Sequence, residues 1–125
     1  MRRLLLPALA LALAACAPRV VQPAQHVYQA TQADVIAAIR AACPQLPTDP
    51  FYAAWKLGTQ QPDSQLCYSA PSLGLGTTGG EVQTLTFRVV AVESGSAVTV
   101  QGGGGVGQGP GAFVFGKLDA SLPHR

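Results

Sequence analysis

The chain is poor in charge. Only 11% of its 125 residues are Asp, Glu, Lys or Arg, with eight basic residues against six acidic ones. Two of the eight are Arg2 and Arg3, and the other six are scattered singly along the rest of the chain. There is no basic cluster to form the electrostatic footprint of a nucleic-acid binder, nor one to hold anionic lipid head groups. Histidine occurs twice, as His26 and His124, and cysteine three times, with no CxxC pair. A metal or redox centre therefore has few ligands to draw on. No G-x-S-x-G elbow is present. Ser64, Ser72, Ser94 and Ser96 fall in turn-like contexts, and the carboxylates are isolated from one another. A hydrolase would need the fold to carry His26 or His124 to a serine or an acid. The expectation is a protein without catalytic residues and without cofactor, metal or nucleotide. Long apolar runs are also missing. The longest, near the N-terminus, spans about eleven residues and includes Pro7, whereas crossing a bilayer takes roughly twenty.

What the N-terminus does contain is ordered. Met1-Arg2-Arg3 is positive, Leu4 to Leu13 is a Leu/Ala run, and Leu13-Ala14-Ala15-Cys16 follows. A positive start, a short apolar stretch and small residues before a cut form a secretory signal. The tetrapeptide resembles the lipobox of bacterial lipoproteins. The resemblance implies removal of residues 1–15, a diacylglycerol thioether on Cys16, and acylation of the new N-terminus with a fatty acid such as palmitate. Two or three acyl chains hold a protein on a membrane durably, whereas one does not. Ala17 stands where Asp would signal inner-membrane retention in Gram-negative lipoproteins. The resemblance thus implies the periplasmic face of the outer membrane, or the outer face of a single membrane. Residues 16–25 contain Pro18 and Pro23 and no periodic pattern, and they read as a tether. At about 3.1 Å per residue it reaches less than about 30 Å, so the domain works close to the membrane.

Residues 26–125 suffice for one small domain. Removing Arg2 and Arg3 with the leader leaves the mature chain, residues 16–125, electrically neutral. With Cys16 committed to lipid, Cys43 and Cys67 are an even pair in an oxidising compartment and read as a disulfide. Closing a loop of about 25 residues stabilises by roughly 3 kcal/mol in the chain-entropy model.

The clearest helix begins at Thr31, a good N-cap, with Asp34 at its third position. Val35, Ile36, Ile39, Ala42 and Cys43 form its apolar stripe, and Pro44 stops it. His26-Val27-Tyr28 suits a short strand. Residues 51–57 fit either a short helix or, preferably, a strand over 54–60. Residues 65–69 form a strand, and 82–93 with 97–101 form a hairpin across Ser94-Gly95. Residues 102–111 read as a flexible glycine loop. Residues 112–122 place Phe115, Leu118 and Leu122 at helical spacing, although Phe113 and Phe115 also suit a strand. The expected fold class is α+β: a two-layer sandwich whose antiparallel sheet of about four strands is packed by one long helix and a second, C-terminal one. This layout resembles small envelope lipoproteins, including accessory lipoproteins of the outer-membrane barrel-assembly machinery. The resemblance rests on element order alone and carries no binding residues with it.

Three glycine patterns mimic phosphate sites. Gly74 to Gly79 and Gly102 to Gly107 fit GxGxxG, but neither sits in a βαβ unit. Gly111 to Leu118 mimics a phosphate loop through Lys117, with Leu118 where a Mg²⁺-binding hydroxyl belongs. A better candidate is a sheet face. If Cys67 turns toward the helix, alternation sends Leu66 and Tyr68 the other way. Arg88, Val90 and Val92 join them if Leu85, Phe87 and Val89 face the helix. Those five residues form the candidate binding surface, unless the segment around Phe113 and Phe115 covers it. The expected role is a lipid-anchored envelope protein that binds another envelope protein. The alternative is a module for a small ligand or peptidoglycan fragment, or an inhibitor of a lytic enzyme, with a concave site lined by Tyr52, Trp55 and Tyr68.

Overall fold

The computed structural model describes residues 25–72 and 81–123. The leader, the lipobox with Cys16, the tether up to residue 24, the 74–79 glycine pattern and His124 lie outside them.

The first helix, α1, spans Gln32–Ala42 and begins as its sequence dictates: the Asp34 backbone N–H donates to Thr31 Oγ1 at 3.1 Å. Its stripe of Val35, Ile36, Ile39 and Ala42 is buried. Pro44 ends the regular helix, and one 3-10 turn, Cys43–Gln45, carries the chain onward. Five strands form a single antiparallel sheet: β1 (His26–Tyr28), β2 (Lys56–Gln61), β3 (Ser64–Ser69), β4 (Gln83–Val92) and β5 (Gly95–Gly103). Their spatial order is β1-β5-β4-β3-β2. A second helix, α2, spans Gln108–Ser121. The fold class is α+β as expected, with five strands rather than four. The short strand expected at His26-Val27-Tyr28 is β1, which pairs with Ser96–Val98 of β5 and is held by the full burial of Tyr28.

Both helices cover the same side of the sheet. The register places Gln65 of β3 opposite Phe87 of β4, and Cys67 opposite Leu85. Phe87 pairs with Val100 of β5, and Val89 with Val98. Phe87, Val89 and Val98 pack with Val35 and Ile39 of α1 and with Val114 and Leu118 of α2 in one core. Phe115 of α2 meets the Phe87 ring edge-on, with centroids 6.2 Å apart. A disulfide joins Cys43, at the end of α1, to Cys67 in β3, with their Cα atoms 6.2 Å apart.

Most polar groups inside this layer are satisfied locally, as buried polar groups usually are; Gln83 Oε1 is buried without a partner, while its amide nitrogen donates to Asp49 at 2.8 Å. Gln65 is fully buried. Its carbonyl oxygen accepts from the Arg40 guanidinium at 3.0 Å, and its amide nitrogen donates to the carbonyls of Gly58 and Leu66. The Tyr28 hydroxyl donates to Asp119 of α2 at 2.8 Å. Burial first, and then this carboxylate, push the Tyr28 phenol far above its ordinary value.

The preferred strand reading of 54–60 holds: β2 runs Lys56–Gln61, after Phe51 adopts the left-handed region at φ 70°. One segment departs from its sequence pattern. The 102–111 stretch is not a free loop. Gly102 and Gly103 complete β5 opposite Leu85 and Thr84, Gly104 and Gly105 turn the chain at positive φ, and α2 already begins at Gln108. A side chain at Gly104 would meet the backbone of Val82, so the turn requires glycine there.

Replacing both Cys43 and Cys67 by Ala is expected to cost about 3 kcal/mol, measured by urea unfolding with the reduced wild type as control. Stability is also expected to fall as pH rises above about 10, the ordinary tyrosine value. There the unfolded chain releases the Tyr28 proton, while the folded chain retains it. Tyr28→Phe should lose about 1 kcal/mol at neutral pH and flatten that alkaline slope, as read by urea midpoints across the range.

Candidate functional site

The sheet has one face under the helices and one away from them. Alternation within the observed register puts Leu66, Tyr68, Arg88, Val90 and Val92 together on the far face. Leu66 pairs with Thr86 and Tyr68 with Thr84, so two threonines stand beside them. Arg88 sits between Ser64 and Thr99. Val90 lies beside Ala97, which in turn pairs with Val27 of β1. The face is thus apolar at two corners, with a polar band of Thr86, Arg88, Thr99 and Gln101 between them. Val90 is 45% exposed and Val92 39% exposed, which is high for valines in a strand. The C-terminal segment does not cover this face. Phe115 stacks on His26 at 3.7 Å and abuts Phe87, both on the helix side.

The aromatic set expected for a concave site does not converge. Trp55 is only 4% exposed, and its indole N–H donates to the Pro47 carbonyl. The Tyr52 hydroxyl donates to the Glu81 carbonyl. Tyr68 lies on the far sheet face. Phe51, which carried no signal in the sequence, is the most exposed large apolar residue among the described ones, at 80%. Its left-handed backbone costs a non-glycine residue of order 1 kcal/mol or more. Hydrogen bonds from Ser72 N–H to the Phe51 carbonyl and from Ala53 N–H to the Ala70 carbonyl fix this loop.

A concave site exists elsewhere, and the sequence did not announce it. A half-open cleft of about 570 Å³ lies between α2 and the β1–β5 edge. Leu85, Val100, Val106 and Phe115 supply apolar wall, and Gly111 and Gly116 leave room along the helix. His26, Gln108 and Asp119 supply its polar groups. His26 is occupied in stacking on Phe115, and Asp119 accepts the Tyr28 hydroxyl. Among the described residues, no serine, threonine or cysteine lines the cleft beside His26 and Asp119. The glycine run from Gly102 does lead from a strand into a helix, with Gly107 as the N-cap of α2. Every strand pairing among the described residues is antiparallel, so they build no dinucleotide-binding βαβ unit there. Among the described residues, no three His, Cys, Asp or Glu side chains are placed to hold a metal ion.

The clue to the cleft in the sequence was the spacing of glycines in 102–116, which also reads as plain flexibility. Only the packing of α2 against β5 turns those glycines into walls.

Val90→Ser with Val92→Ser is expected to cost no more than about 1 kcal/mol, because both side chains are partly solvated. Thermal and urea unfolding of the double variant check this. A loss of several kcal/mol would show these valines to be core residues rather than surface. In comparison with known proteins, the chain matches no family, no curated protein and no solved structure.

Proposed function

We propose that this chain is a lipid-anchored cell-envelope protein whose far sheet face binds a partner protein in the envelope, with no catalytic role of its own. The observation that carries the reading is that face: both helices lie on one side of the sheet, and Val90 and Val92 are left in solvent on the other. A partner would cover the apolar corners at Leu66–Tyr68 and Val90–Val92, and Arg88 between them would supply register through a hydrogen-bonded charge. The anchor reading rests on the Leu13-Ala14-Ala15-Cys16 resemblance, and a short tether suits a partner at the same membrane. Cys43–Cys67 supports export, because such bridges persist in oxidising compartments.

Two measurements test this. Intact mass spectrometry of membrane-purified protein is expected to show loss of residues 1–15, added acyl chains and a two-hydrogen deficit that reduction restores. A photo-crosslinking residue at Val90 or Tyr68, introduced in living cells, is expected to trap one discrete protein adduct. The same residue at Lys117, on α2, should not. An unlipidated chain would remove the anchor. Adducts independent of position would remove the sheet face as the interface.

A further inference from the structure

The cleft between α2 and the β1–β5 edge has a chemistry of its own. Its volume of about 570 Å³ falls in the range of small-ligand sites, roughly 300–1,000 Å³. Its walls are mostly aliphatic, aromatic or bare backbone, with His26, Gln108 and Asp119 as the polar groups. A side chain at Gly116 would have nothing within 4 Å, so the missing side chain leaves open space. At Gly111 the contact is with Val100 at 3.2 Å, and there glycine lets the helix approach the strand. Among the described residues, no Lys or Arg lines the cleft, and Asp119 does. On these walls a carboxylate or phosphate head group would find no counter-charge and one like charge. An uncharged apolar chain meets neither problem.

The chain itself reaches the cleft. His26, on the cleft wall, opens β1, and Cys16 lies nine positions before Gln25. Nine residues span at most about 30 Å when extended, comparable to the dimensions of a small domain, so the same tether can also fold back along it. We propose that one acyl chain carried by Cys16 seats in this cleft. This rests on the lipid-anchor reading above. An ester- or amide-linked acyl chain is uncharged, as the cleft requires. Its seating sets how firmly the protein holds the bilayer. A chain in the cleft is withdrawn from the membrane, and fewer inserted chains turn durable anchoring into reversible binding.

The test uses the full chain in two forms. The Cys16→Ser chain, which takes no thioether lipid, is titrated with 1-decanol, and the backbone amides of Gly102, Gly111 and Gly116 are followed by NMR. They are expected to shift and saturate. Decanoate should bind about tenfold more weakly, because its charge goes unpaired beside Asp119. Gly116→Leu, which fills the open space and improves helix propensity, should weaken decanol binding about tenfold or more. Ala112→Leu, on the same wall, serves if the first variant does not fold. In the lipidated protein the same amides should already sit at their decanol-bound positions, and Gly116→Leu should raise its retention on phosphatidylcholine vesicles. Unmoved amides in the titration, or free-state amides in the lipidated protein, overturn the proposal. A mass spectrum without acyl groups on Cys16 overturns the anchor reading and this occupant with it. The decanol titration then reports separately whether the cleft takes an apolar chain.

Discussion

The bridge between Cys43 and Cys67 sets the parity of the sheet. Side chains alternate along a strand, so once Cys67 turns toward the end of α1, every position in β3 has a side. Antiparallel pairing carries that choice across: Cys67 lies opposite Leu85 in β4, and Leu85 opposite Gly102 in β5. A one-residue slip would exchange the two faces. It would place Arg88 under the helices and Phe87 in water. The disulfide therefore does more than shorten the unfolded chain. It links the identity of the inner face to a covalent bond, and the apolar set of Leu85, Phe87, Val89 and Val98 agrees with it.

A second constraint comes from the far end of the chain. The α2 helix docks beside α1 on the same face and is tied to β1 by the Tyr28–Asp119 hydrogen bond and by Phe115 stacked on His26. The shortest strand is thus held by its pairing with β5 and tied in addition to the last helix. Gly95 adds to this. Its φ of 143° and its close approach to the Tyr28 carbonyl let β5 turn against β1 where a side chain would collide. With both helices committed to one face, the other is left to solvent or to a partner.

Much of this architecture was legible in the sequence because it is local. Thr31, the stripe from Val35 to Cys43 and Pro44 define α1 without reference to anything distant. The alternation from Leu85 to Val92 and the turn at Ser94-Gly95 define the hairpin. Once the cysteines pair, the membership of the far face follows by alternation. What was not legible depends on contacts between remote residues. The start of α2 at Gln108 lies in a run of glycines and Pro110, where intrinsic helix propensity is low. Proline is tolerated there because it falls in the first turn. Packing of Val114, Phe115 and Leu118 against the sheet outweighs the propensity. The place of β1 beside β5, and the left-handed Phe51 in a loop fixed by Ser72, depend in the same way on partners far along the chain.

The glycines of α2 are the clearest conflict between local preference and the final structure. Each glycine inside a helix costs about 1 kcal/mol relative to alanine, and α2 carries Gly109, Gly111 and Gly116. At Gly111 packing explains the choice, since a side chain would press on Val100. At Gly116 nothing in the structure crowds the position, so a larger residue would fit and would strengthen the helix. Departures from local consistency that packing does not demand are expected at sites kept open for something else. Gly116 opens onto the cleft, one residue along the helix from Phe115 in its wall. Gly116 is exposed at the cleft's rim, so the missing side chain there keeps the mouth of the cleft wide. The protein therefore bears two distinct surfaces: a far face defined by strand alternation, and a cleft defined by side chains that are missing.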